Sequence, residues 1–497
     1  MFKNFPGYSL LEKIQKKKSH TRERKLPINA IKLIFIVAIT SVIALLPTES
    51  FGIEGLTVVH QRIISLFVFA ALMWLTEAMP SWVTSMVVVT VMLLTVSTSA
   101  FNFLRPEDGA GLVPFKSIMA CFANPTIMLF IGGFVLAIGL TKVKLDVALA
   151  RVLLKPFGTR SEVVLLGFIL VTAIFSAFVS NTATAAMMLA FLTPVLKSLP
   201  ADGKGRIALA LAIPVGANLG GMITPIGTPP NMIALDYLSS QGMGISFVDW
   251  TIKMAPFVIV LLLLSWLLLR FLFPFKQKHI KIEIEGDIKW NRHTWSVVAA
   301  FVITIFMWMF GTDLWGVDTN VVAMIPIAIF CATGILTRRD LEEINWSVLW
   351  MVAGGFALGV ALNYKDASSV SLSSLIVNTV PFDNFSPLVV MILAGIICFG
   401  FSNFISHSAA TSLLVPVLGV VAGGLGASLD NYGGSQAMLV GIAIASSVSM
   451  ILPISTPPNA IAHSTGFIEQ KDMMKVGIII GIMGLVLGYA MLIFIGF

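Results

Sequence analysis

The chain has 497 residues, 57% of them hydrophobic and 11% charged, with a mean hydropathy of +0.93. A soluble domain carries roughly 25% charged residues, so these figures exclude an ordinary globular enzyme and point to an all-α polytopic membrane protein. The net charge of +7 is not a nucleic-acid signal, because the basic residues sit in short loops and at the N-terminus, where they orient helices in a lipid bilayer.

Residues 1–29 form a basic leader with Lys3, Lys13, Lys16, Lys17, Lys18, Arg22, Arg24 and Lys25, expected in the cytoplasm. The first transmembrane segment, 30–58, contains the apolar run 30–47. It is read as retained, because ALLPTES lacks the small-residue cleavage site of a signal peptide. The first half of the chain proper is 59–272. Its span 60–79 returns to an inner turn at MPSW, where Glu77 is read as an interfacial cap. Span 82–98 goes outward to a loop, 99–116, carrying Glu107 and Asp108. Span 125–143 comes in to Lys142, Lys144, Arg151, Lys155 and Arg160. Asp146 and Asp236 are read as helix-end residues without a role. Cys121, Cys331 and Cys398 are read as small core residues.

The stretch 161–199 has basic flanks on both sides, Arg160 before and Lys197, Lys204 and Arg206 after. Both ends therefore belong in the cytoplasm, which predicts a re-entrant hairpin with Ser180, Asn181 and Thr182 at its tip. A broken helix over 207–238 then goes outward through TPIGTPPN (224–231), and 250–272 returns. The loop 273–293, with Lys276, Lys278, Lys281, Lys289 and Arg292, is a cytoplasmic linker to the second half, 294–497.

That half carries spans at 294–311, 319–337 and 346–363. A second hairpin, 386–422, has Ser406, His407 and Ser408 at its tip. Its flanks are Asp383 and Asp430, with no Lys or Arg between 366 and 470, so it enters from outside. A second broken helix, 436–463, passes through LPISTPPN (452–459), and 475–496 ends outside. The expectation is about eleven transmembrane helices plus two re-entrant hairpins.

Three motif pairs recur in the same order. IGGFVLAIGL (131–140) matches AGGFALGVAL (353–362), SNTATAAMM (180–188) matches SHSAATSLL (406–414), and the two TPPN segments match each other. Their offsets are 354 − 132 = 222, 406 − 180 = 226 and 456 − 228 = 228 residues. A duplicated polar break in two hydrophobic halves of opposite sidedness is the mark of an inverted-topology repeat, with a ligand site between the halves.

The motifs suit an anion and a small cation. Pro225, Pro229 and Pro230 lack N–H donors and break a helix at membrane depth. The break frees carbonyls for a cation and creates a half-helix N-terminus that favours an anion. Hairpin-tip Ser, Asn and Thr cap the next half-helix and donate hydrogen bonds to a ligand. Two such sets supply four half-helix N-termini, which suits a ligand with two carboxylates. A channel would need a continuous polar path. An intramembrane enzyme would need a nucleophile with a base, or a metal set; His60, His279, His293, His407 and His463 show no such spacing, and His20 lies in the leader.

These paired SNT tips and TPPN breaks resemble the divalent anion/sodium symporter family of di- and tricarboxylate carriers. The resemblance implies a homodimer and elevator-type transport by a moving transport domain against a scaffold. It implies C4–C6 carboxylate substrates such as succinate, malate, fumarate and 2-oxoglutarate, and no cofactor. A first sodium site would map to Ser176, Ser180, Asn181 and the Gly227 carbonyl. Substrate contacts would map to Ser180, Asn181, Thr182 and Thr228 in one half. In the other they map to Ser406, His407, Ser408, Thr456 and Pro457.

The second tip departs from the family pattern. His407 stands where Asn would offer an oxygen to a hard cation, so a second sodium site is expected to be lost. Protonated with substrate bound, His407 would replace the missing sodium charge. A fixed cation cannot dissociate, so an empty site would cross the membrane with unpaired charge. The expectation is therefore a dicarboxylate exchanger needing little or no sodium. Sodium symport through the first site, or proton coupling through His407, are the alternatives.

Overall fold

The computed structural model describes residues 29–107, 109–200, 203–280, 290–366 and 370–496. Nearly all of the leader, and residues 281–289 of the linker, lie outside the described residues. The described residues are helical throughout, with two isolated β-bridges and no named strand.

Among the described residues, eight helices are long and apolar enough to cross a membrane, and shorter apolar helices accompany them. In chain order, the first are α1 (Ala30–Leu45), α2 (Val58–Thr76), α3 (Ser81–Thr95), α4 (Phe115–Ala120) and α5 (Pro125–Lys142). Thr57 caps α2, with His60 completing a reciprocal capping box, and Asn124 caps α5 with Pro125 in its first turn. Glu77 ends α2 in the left-handed conformation.

Next come α6 (Leu145–Leu154), α7 (Ser161–Ser176), α8 (Asn181–Ser198), α9 (Gly205–Gly220), α10 (Pro229–Ser240) and α11 (Phe247–Leu272). The stretch 161–199 is thus two helices joined at 177–180. The stretch 207–238 is two helices separated at 221–228. α9 lies hard against α7: a Cβ on Gly220 would collide with the Ala173 backbone.

The second half holds α12 (Arg292–Trp315), α13 (Thr319–Val322), α14 (Met324–Ala332), α15 (Arg338–Glu342), α16 (Trp346–Asn363) and α17 (Leu372–Thr379). It closes with α18 (Pro387–Phe404), α19 (His407–Leu425), α20 (Gly434–Ser447), α21 (Pro457–Ser464) and α22 (Gln470–Phe494). The run expected as one span over 319–337 divides at Ala323, whose carbonyl sits where a Cβ on Gly132 would be. The short helices α6, α15 and α17 stand where the sequence suggested loops.

Asp236 departs from its expected place. It lies inside α10 rather than at its end, and accepts a hydrogen bond from Thr126. The apolar faces of α11 and α12 stay exposed, with Ile259, Val260, Phe306 and Phe310 among the uncovered side chains. Lipid tails solvate such faces without cost. The buried core runs instead through α7, α9, α19 and α20.

Candidate functional site

The two TPPN segments are braced alike. The Asn231 amide donates to the carbonyls of Gly221 at 3.1 Å and Thr224 at 2.8 Å. The Asn459 amide donates to those of Met450 at 2.9 Å and Leu452 at 3.1 Å. Each Asn thus satisfies carbonyls that the break removes from a helix ladder. Thr224 also ties its loop to the Ala177 carbonyl at the hairpin tip, and the Trp250 indole donates to Met222.

The hairpin tips match as well. Ser180 caps α8 through the Ala183 N–H, and Ser406 caps α19 through the Ala409 N–H, each at 3.3 Å. These four helix starts converge. One cavity of about 570 Å³ is lined by Ser180, Asn181, Thr182, Gly227, Thr228, Ser406, His407, Ser408, Thr456 and Pro457. The N-termini of α8, α10, α19 and α21 all reach it. Among the lining residues there is no Lys or Arg.

The polar groups that line the cavity include N–H groups at the starts of α8 and α19 and hydroxyls, a donor set that suits an anion, whereas α10 and α21 each open on two prolines without N–H groups. A family model described as "Sodium:sulfate symporter transmembrane region" matches residues 28–496. The chain belongs to this family. It is 31% identical over 436 residues to an "Uncharacterized transporter" of Haemophilus influenzae, covering 84% of this chain and 88% of that one. It is 28% identical over 462 residues to the "Sodium-dependent dicarboxylate transporter SdcS" of Staphylococcus saprophyticus, covering 85% and 84%. Among solved structures, the fold resembles the Alcanivorax borkumensis YdaH transporter, with a TM-score of 0.53 at 12% identity over 86% of this chain and 97% of that one. The protein is a multi-pass membrane transporter, not an enzyme.

In this family member, Ser176 lies behind the cavity wall, fully buried. Its single hydroxyl hydrogen goes to the Ala217 carbonyl at 2.7 Å. One atom of the Asn181 amide sits 2.6 Å from Ser176 Oγ, 3.3 Å from the Ala217 carbonyl and 3.1 Å from the Gly227 carbonyl. As the NH2 group, it donates to these oxygens. As the oxygen, it completes a cluster of four oxygens that calls for a hard cation. Ser180 is not tied into that cluster; its hydroxyl serves as the α8 cap.

At the position paired with Asn181, the buried His407 ring contacts the Ser449 carbonyl through Nε2 at 2.5 Å. A carbonyl only accepts, so Nε2 carries the hydrogen. An N–H donor therefore occupies the side of this tip where the first half presents an amide to carbonyls. Ser446 and Thr411 both donate to the His407 carbonyl, at 2.9 Å each.

Sequence reasoning missed Asn218, which lines the cavity from the end of α9. It also missed that the lining includes Glu77, Pro80, Ser81 and Trp82 around the α2–α3 turn and Asn345 and Ser347 near the start of α16. No pattern in a single chain links those two turns.

Proposed function

We propose that the protein is a secondary carrier of di- and tricarboxylates of the succinate, malate, fumarate and 2-oxoglutarate class, working as an exchanger with little or no sodium dependence. The observation that carries this reading is the meeting of four helix N-termini, two from each half, around a cavity without Lys or Arg. Two carboxylates placed at opposite ends would each find N–H and hydroxyl donors. The dicarboxylate activity of the staphylococcal relative supports the substrate class.

The exchange reading rests on His407. Its Nε2–H already faces the Ser449 carbonyl, so a protonated ring would present Nδ1–H as a second donor beside the bound dianion. Without substrate, that charge would stand alone in the membrane, and return would be costly. Inverted repeats, an elevator-type motion and a homodimer complete the expected mechanism. So does a cell-membrane location with the N-terminus inside and the C-terminus outside. On that orientation the α2–α3 turn, which contributes to the cavity lining, lies on the cytoplasmic side.

Sodium symport is the second reading, favoured by the oxygens of Ser176, Asn181, Ala217 and Gly227. These residues fit a hard cation by donor type.

Counterflow decides between them. Proteoliposomes are loaded with succinate, and labelled succinate or 2-oxoglutarate is added outside at varied sodium and pH. Exchange predicts uptake that requires internal substrate and ignores sodium. Uptake into empty vesicles driven by a sodium gradient overturns it in favour of symport, and uptake driven by a proton gradient assigns His407 a titrating role.

A further inference from the structure

Asn218 and Thr456 belong to different halves, 238 residues apart, and meet at the cavity wall. The Asn218 amide nitrogen lies 3.2 Å from Thr456 Oγ and 3.1 Å from Asn459 Oδ1. Its orientation follows from its neighbour. The Asn459 NH2 group is committed to the carbonyls of Met450 and Leu452, so Asn459 Oδ1 is the atom that faces Asn218. An acceptor there requires the Asn218 NH2 group opposite.

Each hydrogen of that group then has its acceptor, one on Asn459 and one on Thr456. Thr456 Oγ also accepts the Asn459 backbone N–H at 3.2 Å, as the cap of α21. A hydroxyl has two lone pairs and one hydrogen. Both lone pairs are engaged, and among the described residues the hydrogen has no protein acceptor. Thr456 lines the cavity. Its counterpart Thr228 caps α10 without any side-chain hydrogen bond, so that hydroxyl keeps the freedom to donate or accept.

We propose that Asn218 is a positioning residue that commits the Thr456 hydroxyl to donate, so this end of the cavity favours an ionised carboxylate, the stronger acceptor, over a neutral amide, whose NH2 group Thr456 Oγ cannot accept. The inference rests on the dicarboxylate reading above. The two ends of the cage are then unequal, one fixed as a donor and one adaptable. Diacids that differ at one end would be accepted through the Thr228 side.

The test uses reconstituted full-length protein, with succinate and its monoamide as competing substrates. In Asn218→Ala the hydroxyl is released to rotate. The apparent KM for succinate is expected to rise about tenfold, the loss expected for a charge-assisted hydrogen bond. Discrimination against the monoamide is expected to fall by a similar factor, with the saturated rate changing less. Thr456→Val removes the hydroxyl itself, so Asn218→Ala added to it should have no further effect on discrimination. A purely structural Asn218 would instead act additively and leave discrimination unchanged, and either result overturns the proposal.

If Asn218→Ala does not reconstitute, Asn218→Ser is assayed for the same discrimination, and ligand-induced thermal protection of Thr456→Val is compared between the two substrates. Failure of wild-type protein to carry any dicarboxylate overturns the parent reading instead, and is seen before any variant is made.

Discussion

Thr126 on α5 donates its hydroxyl to the Asp236 carboxylate on α10 at 2.8 Å, joining residues 110 apart in sequence. Both line a second, larger cavity of about 1180 Å³, separate from the hairpin tips, whose lining includes Asn124 and Asp318 but no Lys or Arg. A carboxylate in such a setting depends on neutral donors. Thr126→Val deletes one and leaves the buried carboxyl short of a partner, with an expected cost of about 1–3 kcal/mol. Thr126→Val/Asp236→Leu removes the carboxyl as well, and should be more stable than the single variant. Thermal unfolding of the detergent-solubilised proteins checks this order. A double variant less stable than Thr126→Val contradicts it.

The contrast between Asp236 and the TPPN breaks explains what the sequence made legible. Pro, Gly and Asn inside an apolar run leave a sharp mark, because each changes the backbone locally. The separations at 221–228 and 448–456 are that mark in three dimensions. The hairpin tips were legible for the same reason. Asp236 instead lies inside α10, and its partner Thr126 lies on another helix, a pairing that no local spacing reveals. Asn218 sits in ANLGG, which reads as ordinary small-residue packing. Its function comes only from meeting Thr456 and Asn459. The helices α6 and α17 were hidden because a short amphipathic segment between charged residues resembles a loop.

The two bracing asparagines predict a matched pair of phenotypes. Asn231→Asp and Asn459→Asp keep the shape but replace a two-hydrogen donor by an acceptor facing carbonyls. Each loses two hydrogen bonds and gains repulsion. Initial transport rates, normalised to reconstituted protein, should fall at least about tenfold in both. Gly227→Ala should be as severe, because a Cβ there would collide with the Gly221 carbonyl. A full rate in either Asn variant would show that the breaks hold without their braces.

Away from the hairpin tips, Lys142 at the end of α5 pairs with Asp340 on α15 and also donates to the Ile335 carbonyl. Burial alone would push the Asp340 carboxyl up, but hydrogen bonds from Lys142 and Thr337 outweigh it and hold the carboxyl below the usual range. A depressed carboxylate contributes stability above its unfolded pKa of about 3.9 and loses it as pH falls through the lower folded value. Lys142→Met should therefore cost about 1 kcal/mol at pH 7. The gap from wild type should close in acid. Melting temperatures measured from pH 7 down to pH 3 test the sign; a gap that widens in acid refutes it.

His407 supplies the most direct test of coupling. In the first half, one atom of the Asn181 amide faces the Ala217 and Gly227 carbonyls. In the second, His407 gives Nε2–H to the Ser449 carbonyl. His407→Asn puts an amide oxygen at the tip and, on the exchange reading, removes the proposed charge. The expected result is a change of driving ion. Counterflow without sodium should drop at least about tenfold, as the dianion loses its compensating charge. Added sodium should recover part of it, and uptake into substrate-free vesicles should appear. His407→Gln, longer by one methylene, should lose sodium-free exchange without the same recovery, because its amide oxygen cannot reach the same point. If His407→Asn exchanges succinate as wild type does and stays indifferent to sodium, the ring contributes only its hydrogen bond to Ser449, and coupling must be sought in the oxygens around Asn181.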